Sequence, residues 1–169
     1  GLTPQTVARF KSRFHCDVAL LHSGLNDSKR LQAWQHAQTG KASIIIGTRS
    51  AIYTPLPHLG LIILDEEHDL SYKQQEGFRY HARDVALYRG HLQQCPVILG
   101  SATPSIDSYH LVESGKLHLL ELSQRAGVAS LPRMHVIDLK VAKKQHGISQ
   151  ILIEQIRQTL ERKEQVLIF

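Results

Sequence analysis

The stretch Leu61-Ile62-Ile63-Leu64-Asp65-Glu66-Glu67-His68 constrains the fold more than any other. Four large aliphatic residues without polar alternation describe a short strand buried on both faces, the kind found in parallel sheets. Three carboxylates follow at once, and a charged carboxylate is costly in an apolar core unless it is paired. They are accommodated at the strand's C-terminal tip, where open α/β sheets bind their ligands. An aliphatic strand tipped with Asp-Glu suits nucleotide hydrolysis, with Asp65 holding Mg2+ and Glu66 orienting or deprotonating the attacking water. An ordinary strand followed by a solvated acidic turn is the other reading of the same residues.

The rest of the chain repeats the pattern. Val18-Ala19-Leu20-Leu21, Ser43-Ile44-Ile45-Ile46 and Val97-Ile98-Leu99 read as further short buried strands. Helices are expected between and around them. One starts at Thr3 and Pro4 and runs to about Arg13. A second is capped by Asn26 or Asp27, runs to Gln38 with Leu31 and Trp34 on its inner face, and stops at Gly40. A third spans Ala82–Gln93, and a fourth runs from Pro104 and Ser105 to about Glu113. Ser149 caps a fifth, ending near Lys163, with Ile151, Leu152, Ile156 and Leu160 as its apolar stripe. An edge strand over Leu117–Leu122, an alternating strand over Met134–Leu139, a polar loop over Lys140–Gly147 and a buried strand over Val166–Phe169 complete the expectation. Strands alternating with helices give an α/β fold, a mainly parallel sheet flanked by helices.

Two more strand tips carry chemistry. Gly47-Thr48-Arg49-Ser50 offers backbone amides, two hydroxyls and a guanidinium, the donors that hold a phosphodiester backbone, although such a tetrapeptide also serves as a plain turn. Gly100-Ser101-Ala102-Thr103 offers small hydroxyls able to bond the carboxylates of a neighbouring tip. Residues 69–81 have no clean period and are rich in aromatic, amide and basic groups. Aromatic faces stack on bases while Lys and Arg meet phosphates, and the alternative is a loop whose Tyr and Phe pack down on the sheet. Each signal alone is modest; three tips in this order are specific.

Charge agrees with a polyanion partner beside a metal site. The formal net charge is +5, with basic segments 1–64 and 125–169 flanking an acidic centre, 65–124, although solvation alone also accounts for such a balance. No apolar run approaches the ~18 residues of a membrane span, and the N-terminus has no signal-peptide pattern. Cys16 and Cys95 form no metal-type pair and read as buried free thiols of a reducing compartment. The length fits one domain with a real core.

In this order the tips resemble the first motor lobe of superfamily 2 helicases, a RecA-like P-loop NTPase lobe. Asp65-Glu66-Glu67-His68 looks like their motif II and Ser101-Ala102-Thr103 like motif III. Gly47-Thr48-Arg49-Ser50 looks like the nucleic-acid motif, and Leu2-Thr3-Pro4-Gln5 like the motif after the nucleotide loop. Ser71-Tyr72-Lys73-Gln74-Gln75-Glu76-Gly77, Arg79-Tyr80-His81-Ala82-Arg83-Asp84 and Leu99-Gly100-Ser101-Ala102-Thr103-Pro104 are similar to the replication-restart DNA helicases of that superfamily. The resemblance covers essentially the whole chain and is most specific from 61 to 105. It implies an ATP-dependent 3′-to-5′ DNA helicase that acts in primosome assembly at stalled forks, with Asp65 coordinating Mg2+ through water and Glu66 as catalytic base. His68, Ser101 and Thr103 would couple nucleotide state to the rest of the lobe. Thr48, Arg49 and Ser50 would grip DNA, joined by Tyr72, Lys73, Phe78, Arg79 and Tyr80 of an aromatic-rich coupling loop. Glu67 receives no role. Forked or single-stranded DNA, single-strand binding protein and primosome proteins are the implied partners, with no membrane, in the bacterial cytoplasm at the nucleoid. The family's zinc region would lie outside this chain.

One departure matters. The family's phosphate loop, Gly-x-x-x-x-Gly-Lys-Ser/Thr, is missing ahead of Asp65; Gly40-Lys41 is followed by Ala42, and Gln35 stands where the earlier glycine belongs. The expected organisation is therefore a partial first lobe at 1–124, a linker at 125–133 and the start of a second lobe at 134–169. A lobe without its nucleotide-loop strand is expected to leave a bare sheet edge, to be poorly stable alone and to hydrolyse no ATP by itself. A non-catalytic DNA-binding module and another superfamily 2 DNA translocase are the alternatives.

Overall fold

The computed structural model describes residues 4–124, 133–142 and 144–168. Two compact units divide the chain, Gly1–Leu119 and Leu120–Phe169. The elements of the first are α1 (Pro4–Phe14), β1 (Val18–Leu21), α2 (Asp27–Gln38), β2 (Ile44–Gly47), β3 (Ile62–Leu64), α3 (Ala82–Gln93), β4 (Val97–Leu99) and α4 (Ile106–Glu113), with 3₁₀ turns at Arg49–Tyr53 and Leu70–Tyr72. β1 pairs with β2 in parallel, Val18 opposite Ile44, and β3 pairs with β4 in parallel, Ile62 opposite Val97. The α/β class with parallel strands flanked by helices is thus borne out, as two separate two-stranded ladders.

The caps follow from local chemistry. Asn26 accepts from the Lys29 N–H to start α2, and Ser105 accepts from the Ser108 N–H to start α4. Gly40 follows α2 with φ 73°, the left-handed conformation that closes a helix most cheaply as glycine. Gly47 ends β2 where a Cβ would come within 2.6 Å of the Leu21 carbonyl and collide with Ala51, so only glycine lets the first tip turn this tightly.

The core gathers on Ile62, Leu64 and Ala86, with Ile52, Leu59, Tyr72, Cys95, Val97 and Leu99 packed around them. Several expectations about burial need correction. The strands expected to be buried at 43–46 and 97–99 are at most half-buried, and Ile98 is 45% exposed. β3 is not covered on both faces: Ile62 and Leu64 are buried, while Ile63 is 59% exposed, because α3 lies on one side of the ladder and the alternating side chains on the other meet solvent. In α2 the inner face is Ala37 with half-buried Ala33, not Leu31 and Trp34, which are exposed; small residues let the helix approach β1 closely.

The second unit departs most from expectation. Leu117–Leu122, which runs across the boundary between the units, and Met134–Leu139 form no strands, since strand-like sequence alone supplies no partner ladder. Lys140–Gly147, expected as loop, contains β5 (Lys144–Gln145), which pairs antiparallel with β6 (Ile148–Ser149). His146 and Gly147 both have positive φ, the geometry of a tight hairpin turn. Ser149 caps α5 (Gln150–Glu161) through the Leu152 N–H. On its stripe Ile156 is half-buried, while Ile151, Leu152 and Leu160 are exposed. Residues 166–168 are exposed and unpaired rather than a buried strand. Leu2, Thr3, Phe169 and residues 125–132 of the expected linker lie outside the described residues.

Candidate functional site

The β3–β4 ladder continues beyond its last paired residues. The Gly100 N–H donates to the Leu64 carbonyl at 2.7 Å, and the Glu67 N–H donates to the Gly100 carbonyl at 3.0 Å. Asp65 and Glu66 lie between these two bonds, with Glu66 in the left-handed region at φ 51° and its N–H held by Asp65 Oδ1 at 3.1 Å. A non-glycine residue in that conformation costs of the order of 1 kcal/mol and concentrates at functional sites. The result is two adjacent exposed carboxylates at a strand tip, followed by one that turns inward.

The inward one is Glu67, 2% exposed. Its Oε1 accepts from the Ser105 N–H at 2.7 Å, and its Oε2 accepts from the Ser108 and Ser105 hydroxyls at 2.8 and 3.1 Å. Arg83, 7% exposed, stands 3.7 Å from Oε2, bonds the Ser105 hydroxyl at 2.9 Å, and reaches the exposed carboxylates of Asp84 and Asp107. Burial pushes the Glu67 carboxyl up, but the hydrogen bonds from Ser105 and Ser108 and the Arg83 charge more than offset it and hold it below the ordinary range. Sequence reasoning gave Glu67 no role. A signal was present: Arg83 falls among Ala82, Ala86 and Gly90 on the buried face of α3, and a guanidinium there requires a carboxylate partner.

His68 points to the third tip. Its Nδ1 lies 2.6 Å from Ser101 Oγ and 3.6 Å from Glu66 Oε2, and Ser101 Oγ also accepts from the Thr103 N–H at 3.0 Å. The four residues Glu66, His68, Ser101 and Thr103 are therefore joined across β3 and β4. Gly100 sits beside Asp65, where a Cβ would come into ordinary contact with Asp65 Oδ1 at 3.5 Å.

The first tip reaches the acidic tip through the intervening loop. Arg49 donates to the Ser71 and Lys73 carbonyls at 2.8 and 3.1 Å, and the Tyr72 hydroxyl donates to the Asp65 carbonyl at 2.8 Å. Burial and then the charges of Asp65, Asp69 and Glu66 raise the Tyr72 phenol above its ordinary value. Arg49 and Tyr72, expected as DNA contacts, thus also fix the loop. Thr48 and Ser50 are exposed on the same tip. Lys73, Gln74, Gln75, Arg79, Tyr80 and His81 line a shallow cleft of about 490 Å³. Phe78 is 80% exposed, Tyr80 meets Phe78 at 6.2 Å between ring centroids, and Tyr80 meets Tyr53 edge-on at 5.1 Å. Tyr53, missed by the sequence reading, extends this aromatic row from the 3₁₀ turn after the first tip.

The loop ends at His81, whose Nδ1 accepts from the Arg83 N–H and caps α3. Burial, then the Arg83 charge, depress its protonation. A histidine held neutral in the fold contributes fully above its unfolded value of about 6.5 and loses that contribution as pH falls through its folded value. The cap is worth about 1 kcal/mol. His81→Asn, a cap that does not titrate, is expected to shrink the fall in melting temperature between pH 7.5 and 5.5; an unchanged fall in paired thermal melts would contradict this.

Among the described residues no group of three or more His, Cys, Asp or Glu is arranged to hold a metal by itself. Both cysteines are free and half-buried. No helix among the described residues is long and apolar enough to cross a membrane.

Comparison with known proteins adds the family. The family model described as DEAD/DEAH box helicase matches residues 1–112. The replication restart protein PriA of Haemophilus influenzae is 51% identical over 169 residues, covering 100% of this chain and 23% of that protein. The replication restart protein PriA of Synechocystis is 51% identical over 150 residues, 86% of this chain and 18% of the relative; that of Bacillus subtilis is 40% identical over 172 residues, 100% and 21%. The chain spans about a quarter or less of the length of these curated relatives.

Proposed function

The chain belongs to the DEAD/DEAH box helicase family, and on that premise we propose that it forms part of the first motor lobe of an ATP-dependent DNA helicase acting in replication restart. The observation that carries this reading is the junction of the tips: Asp65 and Glu66 exposed side by side, His68 bonded to Ser101, and Asp65 tied through Tyr72 and the loop carbonyls to Arg49. The relatives are replication restart proteins, which supports the replication-restart setting; forked or single-stranded DNA, single-strand binding protein and primosome proteins as partners, in the bacterial cytoplasm at the nucleoid, are proposed from the family resemblance. Residues 1–124 are proposed as the lobe fragment, 125–133 as linker and 134–169 as the start of the second lobe, with 3′-to-5′ polarity carried over from the family resemblance.

Mg2+ fits the donor set. It is held by one or two carboxylates with substrate phosphates and water, and Asp65 offers one exposed carboxylate at the strand tip. When bound it would neutralise phosphate charge. Glu66 is proposed to accept a proton from the attacking water. His68, Ser101 and Thr103 hold the two tips in register. The chain contains no phosphate loop, so the 169 residues alone are expected to show no ATP hydrolysis above background.

Thr48, Ser50, Lys73 and Arg79 are proposed to meet phosphates, and Phe78 and Tyr80 to stack on bases. Stacking is worth about 1–3 kcal/mol per base, so Phe78→Ala is expected to weaken single-stranded DNA binding by about 5- to 150-fold. Arg79→Ala is expected to reduce the salt slope by about one phosphate contact. A salt titration by fluorescence anisotropy tests both. Unchanged affinity and slope would leave the loop a packing feature, and DNA binding indifferent to nucleotide in the full-length protein would favour the non-catalytic module.

A further inference from the structure

We infer that Glu67 and Arg83 form a buried clasp that closes the base of the loop at 69–81 and passes its state to the acidic tip, making both of them positioning residues. This deepens the helicase reading and rests on it. Glu67 lies at the start of the loop, next to Glu66, and Arg83 lies at its end, in the first turn of α3. The two side chains meet at 3.7 Å, both almost fully buried. Further out the loop is stitched by a bridge between Lys73 and His81 and by the Gln74 N–H donating to the Tyr80 carbonyl at 2.8 Å. Residues 67–83 therefore form a closed unit whose exposed end carries Phe78 and Arg79.

The same clasp grips a third segment. Glu67 accepts from the Ser105 N–H and hydroxyl and from the Ser108 hydroxyl at the start of α4, while Arg83 bonds the Ser105 hydroxyl. Ser105 follows Thr103 and Pro104, so a shift at the loop base moves the Asp65–Glu66 tip and the Ser101–Thr103 tip together. Buried groups satisfied on every side have few alternative arrangements, which suits a rigid transmitter. A carboxylate whose only task was solubility would sit in water, as Asp84 and Asp107 do.

The test is hydrogen exchange on the full-length protein carrying this chain, with and without single-stranded oligothymidylate. In the wild type, DNA is expected to protect amides at 69–81 and also to change exchange at 65–68 and 101–105. In Glu67→Gln, and independently in Arg83→Lys, the loop protection is expected to persist while the change at both tips falls to less than half. DNA stimulation of ATP turnover, taken as the ratio with to without DNA, is expected to fall in parallel. Tip changes and a stimulation ratio equal to wild type in both variants would overturn the clasp. A wild type whose loop and tips ignore DNA would instead overturn the functional reading beneath it.

Discussion

Glu66→Gln is expected to lower DNA-stimulated ATP turnover in the full-length protein by about 10²–10⁴-fold, the usual worth of a positioned general base. Glutamine preserves the size and the left-handed backbone at this position but cannot take a proton from water. The neighbouring contact between Glu66 Oε2 and His68 Nδ1, at 3.6 Å, is long and exposed, so its loss contributes little. Nucleotide and DNA affinities are therefore expected to stay within a few-fold of wild type, and the fall to lie in kcat rather than KM. Steady-state ATPase assays with saturating single-stranded DNA make the measurement. A fall of less than tenfold in kcat would remove Glu66 from the role of base.

Glu67→Ala is expected to destabilise the first unit strongly. Removing one partner of a buried, hydrogen-bonded pair costs about 3–5 kcal/mol, a large share of the 5–15 kcal/mol that ordinary domains possess. It leaves the Ser105 N–H and the Ser108 hydroxyl without their buried acceptor and the Arg83 charge without its buried counter-ion, although Arg83 keeps Asp84 and Asp107, which places the effect toward the lower figure. Asp107→Ala, at the exposed end of the same network, is expected to cost under about 1 kcal/mol. Urea unfolding followed through Trp34, the single tryptophan and a residue of the same unit, distinguishes the two. Equal shifts of the two midpoints would show that burial of Glu67 contributes nothing beyond a surface pair. The pH response has a definite sign. The folded carboxyl lies below its ordinary range, so its contribution is full above the unfolded value of about 4.3 and is lost as pH falls through the folded one.

The first unit was largely legible because its signals are local. Caps at Asn26 and Ser105, the breaker at Gly40 and uninterrupted aliphatic runs fix α2, α4, β1 and β4 within a residue or two of expectation. The errors there concern which side chains face inward: Leu31 against Ala37 in α2, and Ile63 in β3, where the neighbouring element rather than the periodicity decides burial. In the second unit α5 was read within two residues of expectation, but Met134–Leu139 and residues 166–168 were not, because they have strand-like composition while strands exist only with a partner.

At the site, Asp65, Glu66, His68 and Ser101 could be picked out because strand tips advertise themselves. Glu67 could not, although it belongs to the same acidic run. Its partners lie 16, 38 and 41 residues further along, at Arg83, Ser105 and Ser108, and only the fold brings them together. Arg49 and Tyr72 were read from residue type as DNA contacts, whereas the geometry gives each a task in holding the loop.

Metal-directed backbone cleavage addresses the nucleotide assignment most directly. With Fe2+ in place of Mg2+, nucleotide bound and ascorbate added, the full-length protein is expected to be cut at two segments, 65–68 and 100–103, and both cuts are expected to vanish in Asp65→Asn. Cuts confined to other segments, or unchanged cuts in Asp65→Asn, would show that the metal–nucleotide complex docks elsewhere.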